Sequence, residues 1–182
     1  MFTIEMKEKT SDEIALKGVT ADGLQPLLDS CYSGTIELTE RNVADVLAAA
    51  DLLSFMKVTE KCSVFLLKYL TPQNCLSTYS LGEQFNLMQL SKASNELIAE
   101  DFRSFSKCNE FGSLNSSELM EVLNRDDLNV LSEDEICESL LSWVEFDTIT
   151  RAESLPNLLK AIRFQHMYKS VRKTSVRFHH FV

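Results

Sequence analysis

The first forty residues alternate between strand-like and helical spacing of apolar side chains. Ile14, Leu16 and Val19 are separated by polar residues, which predicts a strand with one buried face. A helix is predicted next, with Pro26 in its first turn and Gly34 as a left-handed stop. The apolar positions of this helix are Leu24, Leu27, Leu28 and Cys31. A second short strand is predicted over Thr35 to Leu38.

Two amphipathic helices are predicted between this strand and the first clear boundary. Thr39 is a candidate N-cap for a helix over Glu40 to Leu53. A further helix is predicted from about Val58 to Tyr69, and Thr71-Pro72 ends it, because the residue before a proline disfavours helical backbone. The apolar stripe of the first helix is Val43, Val46, Leu47, Ala50 and Leu53. That of the second helix is Cys62, Phe65, Leu66 and Tyr69.

Beyond Pro72 the periodicity indicates helices alone. A capping box at Ser132-Glu-Asp-Glu135 predicts the start of a helix that runs through Trp143 and Val144. Leu155-Pro156 predicts the start of another helix, which ends near Ile162. Earlier in the chain, Ser116 is a candidate N-cap for a helix that begins at Ser117. The remaining helices are predicted over Asn74 to Phe85, Leu87 to about Phe102, near Lys107, and over Ser117 to Asn124.

Charge divides the 182 residues into an acidic body and a basic end. The net charge is −9, yet residues 164–182 hold four of the eighteen Lys and Arg and none of the twenty-seven Asp and Glu. An acidic surface repels a phosphate backbone, so the body is not expected to bind nucleic acid, and a partner with basic patches is favoured. No apolar stretch approaches the roughly 20 residues that span a bilayer, so we expect no membrane segment and a cytoplasmic or nuclear location.

Candidate catalytic chemistry is sparse in this sequence. All three histidines lie beyond residue 164, the five glycines never cluster, and the five cysteines are far apart, so we expect no cofactor and no metal. Asp126-Asp127 could suggest a metal site, but sequence neighbours point apart and a solvated pair is favoured. Trp143, flanked by Leu140, Leu141 and Val144, is predicted to anchor a core. No enzymatic activity is expected.

Three segments resemble the Kelch-like family, whose members join a BTB domain to a BACK domain. The strings Tyr32-Ser-Gly-Thr-Ile-Glu-Leu and Val46-Leu-Ala-Ala-Ala-Asp-Leu-Leu53 resemble the second half of a BTB domain. Leu70-Thr-Pro-Gln-Asn-Cys-Leu76 is similar to the junction into BACK, and Asp127-Leu-Asn-Val-Leu with Ser142-Trp-Val144 and Arg151 resembles the BACK body. The resemblance implies a mainly α fold: a partial α/β BTB (POZ) domain with a short sheet, then an all-α BACK domain of helical hairpins.

The predicted domains are a BTB domain over residues 1–70, a BACK domain over 71–163, and a basic, poorly ordered tail over 164–182. The first helical pair of BACK, about 71–102, corresponds to the family's three-box. The resemblance places the start of the chain inside the BTB domain, after the helix through which the family dimerises, so a homodimer stays an open alternative. No repeat with the period of a Kelch propeller is present in the sequence.

In the Kelch-like family, BTB domains bind the N-terminal region of the cullin-3 scaffold of ubiquitin ligases. Part of that contact is a motif of an apolar residue, any residue and Glu, placed after a helix that ends in Met-Phe. Met1-Phe2 and Met6-Lys7-Glu8 match it, so the resemblance implies cullin contacts by Phe2, Met6, Glu8 and Tyr32. The implied function is a non-catalytic adaptor that binds cullin-3 through BTB and three-box. The alternative is a BTB-BACK interaction module in transcriptional or cytoskeletal regulation without a ligase.

Overall fold

The structure, a computed structural model, describes residues 16–161. All regular secondary structure in this range is helical, which confirms the predicted mainly α class. The chain divides into two compact units, Met1–Lys68 (unit 1) and Tyr69–Val182 (unit 2). The predicted basic tail lies outside the described residues.

Unit 1 contains three described helices: α1 (Ala21–Ser33), α2 (Val43–Leu52) and α3 (Met56–Lys68). The side chain of Thr20 caps α1 by accepting a hydrogen bond from Gly23 N at 3.1 Å. Gly34 ends the helix with φ +74°, as predicted, because this left-handed backbone suits glycine. Pro26 lies in the second turn, so its predicted first-turn position is wrong: the helix starts several residues earlier.

The predicted short sheet does not appear in residues 16–161. Thr35 to Leu38 connects α1 to α2 without forming a strand, and residues 16–19 form a turn that contains Gly18 with φ +82°. A strand needs a neighbouring strand to pair its backbone groups, and the described range offers none. Ile14 lies outside the described residues.

The start of α2 differs from the prediction by three residues. Thr39 and Asn42 exchange hydrogen bonds: Thr39 N donates to Asn42 Oδ1 at 2.8 Å, and Asn42 N donates to Thr39 Oγ1 at 3.2 Å. This reciprocal turn precedes the helix, so Thr39 is not its cap. The predicted stripe of α2 is confirmed at its first four positions, where Val43, Val46, Leu47 and Ala50 are buried.

The helices α1 and α2 of unit 1 pack closely against each other at Gly23. A Cβ atom added to Gly23 would lie 2.3 Å from the backbone oxygen of Asp45, so only glycine permits this approach. The apolar residues Leu27, Val46, Leu47, Cys62 and Leu66 are buried in this unit. Their burial is the main source of its stability.

Unit 2 is a series of short helices around one hydrophobic core. The α4–α5 pair packs tightly, because Gly82 lets the backbone at Ser91 approach within 3.0 Å of where a Cβ would stand. Phe111 packs edge to face against Phe102 and Phe105, with centroids 6.1 and 5.6 Å apart. The helices are α4 (Cys75–Gln84), α5 (Met88–Glu100), α6 (Phe102–Phe105), α7 (Asn109–Ser113), α8 (Ser116–Leu123), α9 (Glu133–Phe146), α10 (Thr148–Arg151) and α11 (Leu155–Leu158), with 3₁₀ turns at Ala152–Ser154 and Leu159–Ala161.

The caps of α8 and α9 differ from those predicted. Asn115, one residue before the predicted Ser116, caps α8 and forms a complete capping box with Glu118. At α9 the predicted box is wrong: Ser132 stands at the N-cap position, but its side chain makes no capping hydrogen bond. The Glu135 carboxylate accepts instead from Leu131 N at 3.1 Å and from Arg103, so the tertiary ion pair replaces the local box.

Replacing Asn115 and Ser132 should distinguish an N-cap side chain that accepts hydrogen bonds from one that accepts none. Asn115→Ala is expected to lower the free energy of unfolding by about 1 kcal/mol, because two amides of α8 lose their acceptor. Ser132→Ala is the matched control and should change it by less than about 0.5 kcal/mol. Urea denaturation followed by circular dichroism measures both. Equal losses would contradict the cap assignment.

Candidate interaction site

Of the four side chains that the sequence assigns to a cullin contact, Tyr32 is in the described range. It lies near the end of α1 and is 93% exposed. Leu28, four residues earlier on the same face of α1, is 45% exposed. Phe2, Met6 and Glu8 lie outside the described residues.

The helix α1 presents its two sides to different environments. Gly23 and Leu27 are buried, whereas Leu28 and Tyr32 point away from that face and form an exposed apolar pair. Leu28 and Cys31, two of the four apolar positions of this helix, are exposed, because α2 covers only a narrow stripe of α1. An exposed aromatic beside an exposed Leu can bury a large area against a partner protein.

A second set of exposed apolar side chains surrounds the turn between α2 and α3. The turn contains Ser54 with φ +60°, and Phe55 N closes it by donating to Ala50 O at 2.7 Å. Leu52, Phe55 and Met56 are all exposed here, Met56 to 75%. Sequence reasoning missed these residues, although an apolar run across a helix end is a signal that could have found them.

The α4 helix of unit 2 is held at its start by a distant carboxylate. Glu110 on α7 accepts hydrogen bonds from Leu76 N at 2.8 Å and from Ser77 N at 3.2 Å. A carboxylate at this end also interacts favourably with the helix dipole. The predicted three-box pair α4–α5 is therefore fixed to the rest of unit 2 through Glu110.

Arg151 joins the end of α9 to α7. Its guanidinium donates to the carbonyl oxygens of Trp143 at 2.8 Å and Gly112 at 2.6 Å, and lies 4.2 Å from the centroid of the Trp143 ring. The Trp143 side chain is 2% exposed, and its Nε1 donates to Leu114 O at 2.9 Å. The core role predicted for Trp143 is confirmed. Arg151, which belongs to the segment that resembles BACK, connects α9 to α7 through these hydrogen bonds.

Several ionisable groups of the described range are buried or paired. Burial raises the pKa of the Cys75 thiol to about 12, with further contributions from Glu110 and Cys108, and raises that of Cys62 and Cys137 to about 11. Such thiols are protonated near neutral pH. Asp127 of the predicted solvated pair forms a bidentate ion pair with Arg125, whose hydrogen bonds hold the pKa of the carboxyl below its usual range.

Within residues 16–161 no three His, Cys, Asp or Glu side chains lie close enough to hold a metal ion together. The helices in that range are also too short or too polar to cross a bilayer.

Comparison with known proteins identifies both parts of the chain. Residues 1–70 match the BTB/POZ domain family, and residues 75–177 match the family described as BTB And C-terminal Kelch (BACK). Kelch-like protein 23 of Homo sapiens is 36% identical over 162 residues, which cover 89% of this chain and 29% of that protein. Kelch-like protein 40a of Danio rerio is 32% identical over 182 residues, which cover 100% of this chain and 30% of that protein.

The relatives share the BTB and BACK regions with this chain, which spans less than a third of their length. The match to BACK alone covers more than half of the 182 residues. The family inferred from Tyr32 to Leu53, the Leu70–Leu76 junction and the segment around Trp143 is thereby confirmed: the chain belongs to the BTB and BACK family of Kelch-like proteins.

Proposed function

We propose that the chain is a non-catalytic adaptor that binds the N-terminal region of the cullin-3 scaffold of a ubiquitin ligase. The observation that supports this most is the succession of a BTB match over residues 1–70 and a BACK match over 75–177 in one chain. The BTB region supplies the main contact, and the α4–α5 pair of BACK adds to it. We propose that this occurs in the cytoplasm or the nucleus.

The exposed face of α1 suits such a contact. Interface energy concentrates in a few large side chains that become fully desolvated, with Tyr among the most frequent. Tyr32 has almost its whole surface available for burial, and Leu28 lies beside it. In the proposal, Met6 fills an apolar pocket of the cullin while the Glu8 carboxylate fixes its orientation by hydrogen bonding, and Phe2 completes the apolar contact.

Binding of the cullin-3 N-terminal region to the full chain, measured by calorimetry, tests the proposal. Tyr32→Ala is expected to weaken binding about 10-fold, which corresponds to about 1.4 kcal/mol. Met6→Ala combined with Glu8→Ala, and Phe2→Ala alone, should each weaken it by a similar factor or more. The matched control is Ile149→Ala on α10, an apolar side chain 91% exposed in unit 2, which should leave the affinity unchanged.

Two outcomes would count against different parts of the proposal. Wild-type affinity in the Tyr32, Phe2 and Met6/Glu8 variants would show that these side chains are not the contact. A wild-type chain that is folded by circular dichroism yet does not bind cullin-3 would contradict the adaptor function itself.

A second candidate is an interaction module in transcriptional or cytoskeletal regulation that recruits no ligase. The acidity of residues 69–161 favours it, since they hold sixteen Asp and Glu against six Lys and Arg, a formal charge of −10. Such a surface attracts a basic partner. Co-purification from cells distinguishes the two: cullin-3 among the bound proteins supports the adaptor, and its absence beside a basic partner supports the module.

A further inference from the structure

The helices α4 and α5 of unit 2 form a tightly packed antiparallel hairpin. Residues 85–87 connect them, and a connection this short places consecutive helices side by side in opposite directions. The start of α4 and the end of α5 therefore lie together at the base of the hairpin, and the exposed Met88 lies at its tip. A Cβ at Gly82 would lie 2.7 Å from Ser91 N. Because packing this tight resists sliding of one helix along the other, the hairpin is expected to move as one body.

The N-cap residue of α4 does not cap its own helix. The Oδ1 atom of Asn74 accepts a hydrogen bond from Thr71 N at 2.8 Å, and its Nδ2 donates to Tyr69 O at 3.0 Å. The side chain is thus committed to the chain that precedes the helix, and it makes no capping hydrogen bond. Glu110 on α7 accepts instead from the amides of the second and third residues of α4. The cap of α4 therefore comes from a different helix.

The other side of the hairpin base is held by the segment that follows α8. Arg125 donates to Asn95 O at 3.1 Å, and Asn129 N donates to Ala99 O at 2.8 Å. The base thus has one attachment on α4, through Glu110, and another on α5. When the first is removed, the hairpin is expected to pivot about the second. Since α4 is about 15 Å long, a tilt of about 10° moves the tip by about 3 Å.

We propose that Glu110 is a positioning residue for cullin-3 binding: its carboxylate fixes the α4–α5 hairpin in the orientation in which the hairpin meets the cullin. This inference rests on the proposed adaptor function, in which the hairpin adds to the contact made by the BTB region. A partner that engages both parts binds more weakly when one of them must first be ordered, because ordering costs conformational entropy. Glu110 lowers that cost before the partner arrives.

Calorimetric titration of the full chain with the cullin-3 N-terminal region tests this role. Glu110→Ala is expected to weaken binding about 5-fold, and Glu110→Gln, which keeps one acceptor oxygen, about 2-fold. The matched control is Glu118→Ala on α8, which also removes a carboxylate bonded to a backbone amide at a helix start, here Asn115 N at 2.8 Å. It should leave the affinity unchanged, because that bond joins α8 to its own cap.

A second variant distinguishes positioning of the hairpin from capping of α4. Ser77 is exposed at the third position of α4. Ser77→Asp in the Glu110→Ala chain supplies a carboxylate to the same helix start without a link to α7. Hydrogen exchange of the α4 amides should then return to within about 2-fold of the wild-type rate, while cullin-3 binding stays about 5-fold weaker.

Four results would overturn the inference. Wild-type affinity in Glu110→Ala would show that the contact positions nothing. Full recovery of affinity by Ser77→Asp would reduce Glu110 to a helix cap, and an equal loss in Glu118→Ala would trace the effect to the stability of unit 2. A folded wild-type chain that does not bind cullin-3 would remove the adaptor function and this inference with it, whereas the other three results leave the adaptor function intact.

Discussion

Replacing Trp143 with Ala is expected to lower the free energy of unfolding by about 4 kcal/mol, the largest single loss in unit 2. The ring is 2% exposed among the core side chains, so its removal leaves a cavity that a tightly packed helix cannot fill. The change also deprives Leu114 O of its donor and the Arg151 guanidinium of the ring on which it lies. Circular dichroism at 222 nm during urea denaturation measures the loss, because Trp143 is the only tryptophan and fluorescence would vanish with it.

Two further variants test how much of this loss comes from the volume of the Trp143 ring, how much from its hydrogen bond, and how much depends on burial. Trp143→Phe keeps most of the ring but loses the indole N–H, so a smaller loss of about 2 kcal/mol is expected. Phe146→Ala removes an aromatic side chain that is 65% exposed, three residues further along α9, and should cost less than about 1 kcal/mol. A Trp143→Ala chain as stable as Phe146→Ala would mean that the ring does not anchor the core.

The helices of this protein were accessible from sequence because their signals are local. The stripe of Val43, Val46, Leu47 and Ala50 depends only on spacing within one helix, and so does the burial of Trp143 beside Leu140 and Val144. Gly34 was identified as a stop for the same reason, since a left-handed residue after a helix is a property of the backbone at that point.

What the sequence misassigned depends on partners that are distant along the chain. A strand at Thr35 to Leu38 requires a second strand, and the capping box at Ser132 fails because Glu135 pairs with Arg103, thirty-two residues away. The carbonyl contacts of Arg151 reach back 39 residues to Gly112, and Glu110 supports α4 from 34 residues away. Local periodicity contains no information about such pairs.

The candidate site was predicted in a different way. Phe2, Met6, Glu8 and Tyr32 followed from resemblance to a family, since an exposed Tyr on a helix has no distinctive spacing. The structure adds that Tyr32 is accessible and shares a face with Leu28. The solvent-facing position of Leu28 could not be derived from the heptad-like spacing of α1, because that spacing does not show how wide a stripe α2 covers.

Gly23→Ala is expected to have the largest effect in unit 1, about 3 kcal/mol, although it adds a single methyl group. The new Cβ would lie 2.3 Å from Asp45 O and 2.6 Å from Asp45 C, and both atoms belong to the backbone of α2 and cannot rotate away. The two helices must separate by about 1 Å to restore van der Waals contact, which loosens the packing around Leu27 and Leu47. The gain in helix propensity, about 1 kcal/mol, is too small to offset this.

The matched control for Gly23→Ala is Gly34→Ala, at the other end of the same helix. Gly34 has φ +74° and no atom within 4 Å of its added Cβ, so only the left-handed backbone is penalised, by about 1 kcal/mol. Hydrogen exchange should show loss of protection at Leu27 and Leu47 in Gly23→Ala, with the amides of α9 as an internal reference. Because α1 bears Leu28 and Tyr32, the proposed binding to cullin-3 should also weaken, at least 10-fold, although Gly23 itself is buried. If Gly23→Ala lost no more stability than Gly34→Ala, the close approach of α1 and α2 would be wrong, and so would the orientation of the Tyr32 face.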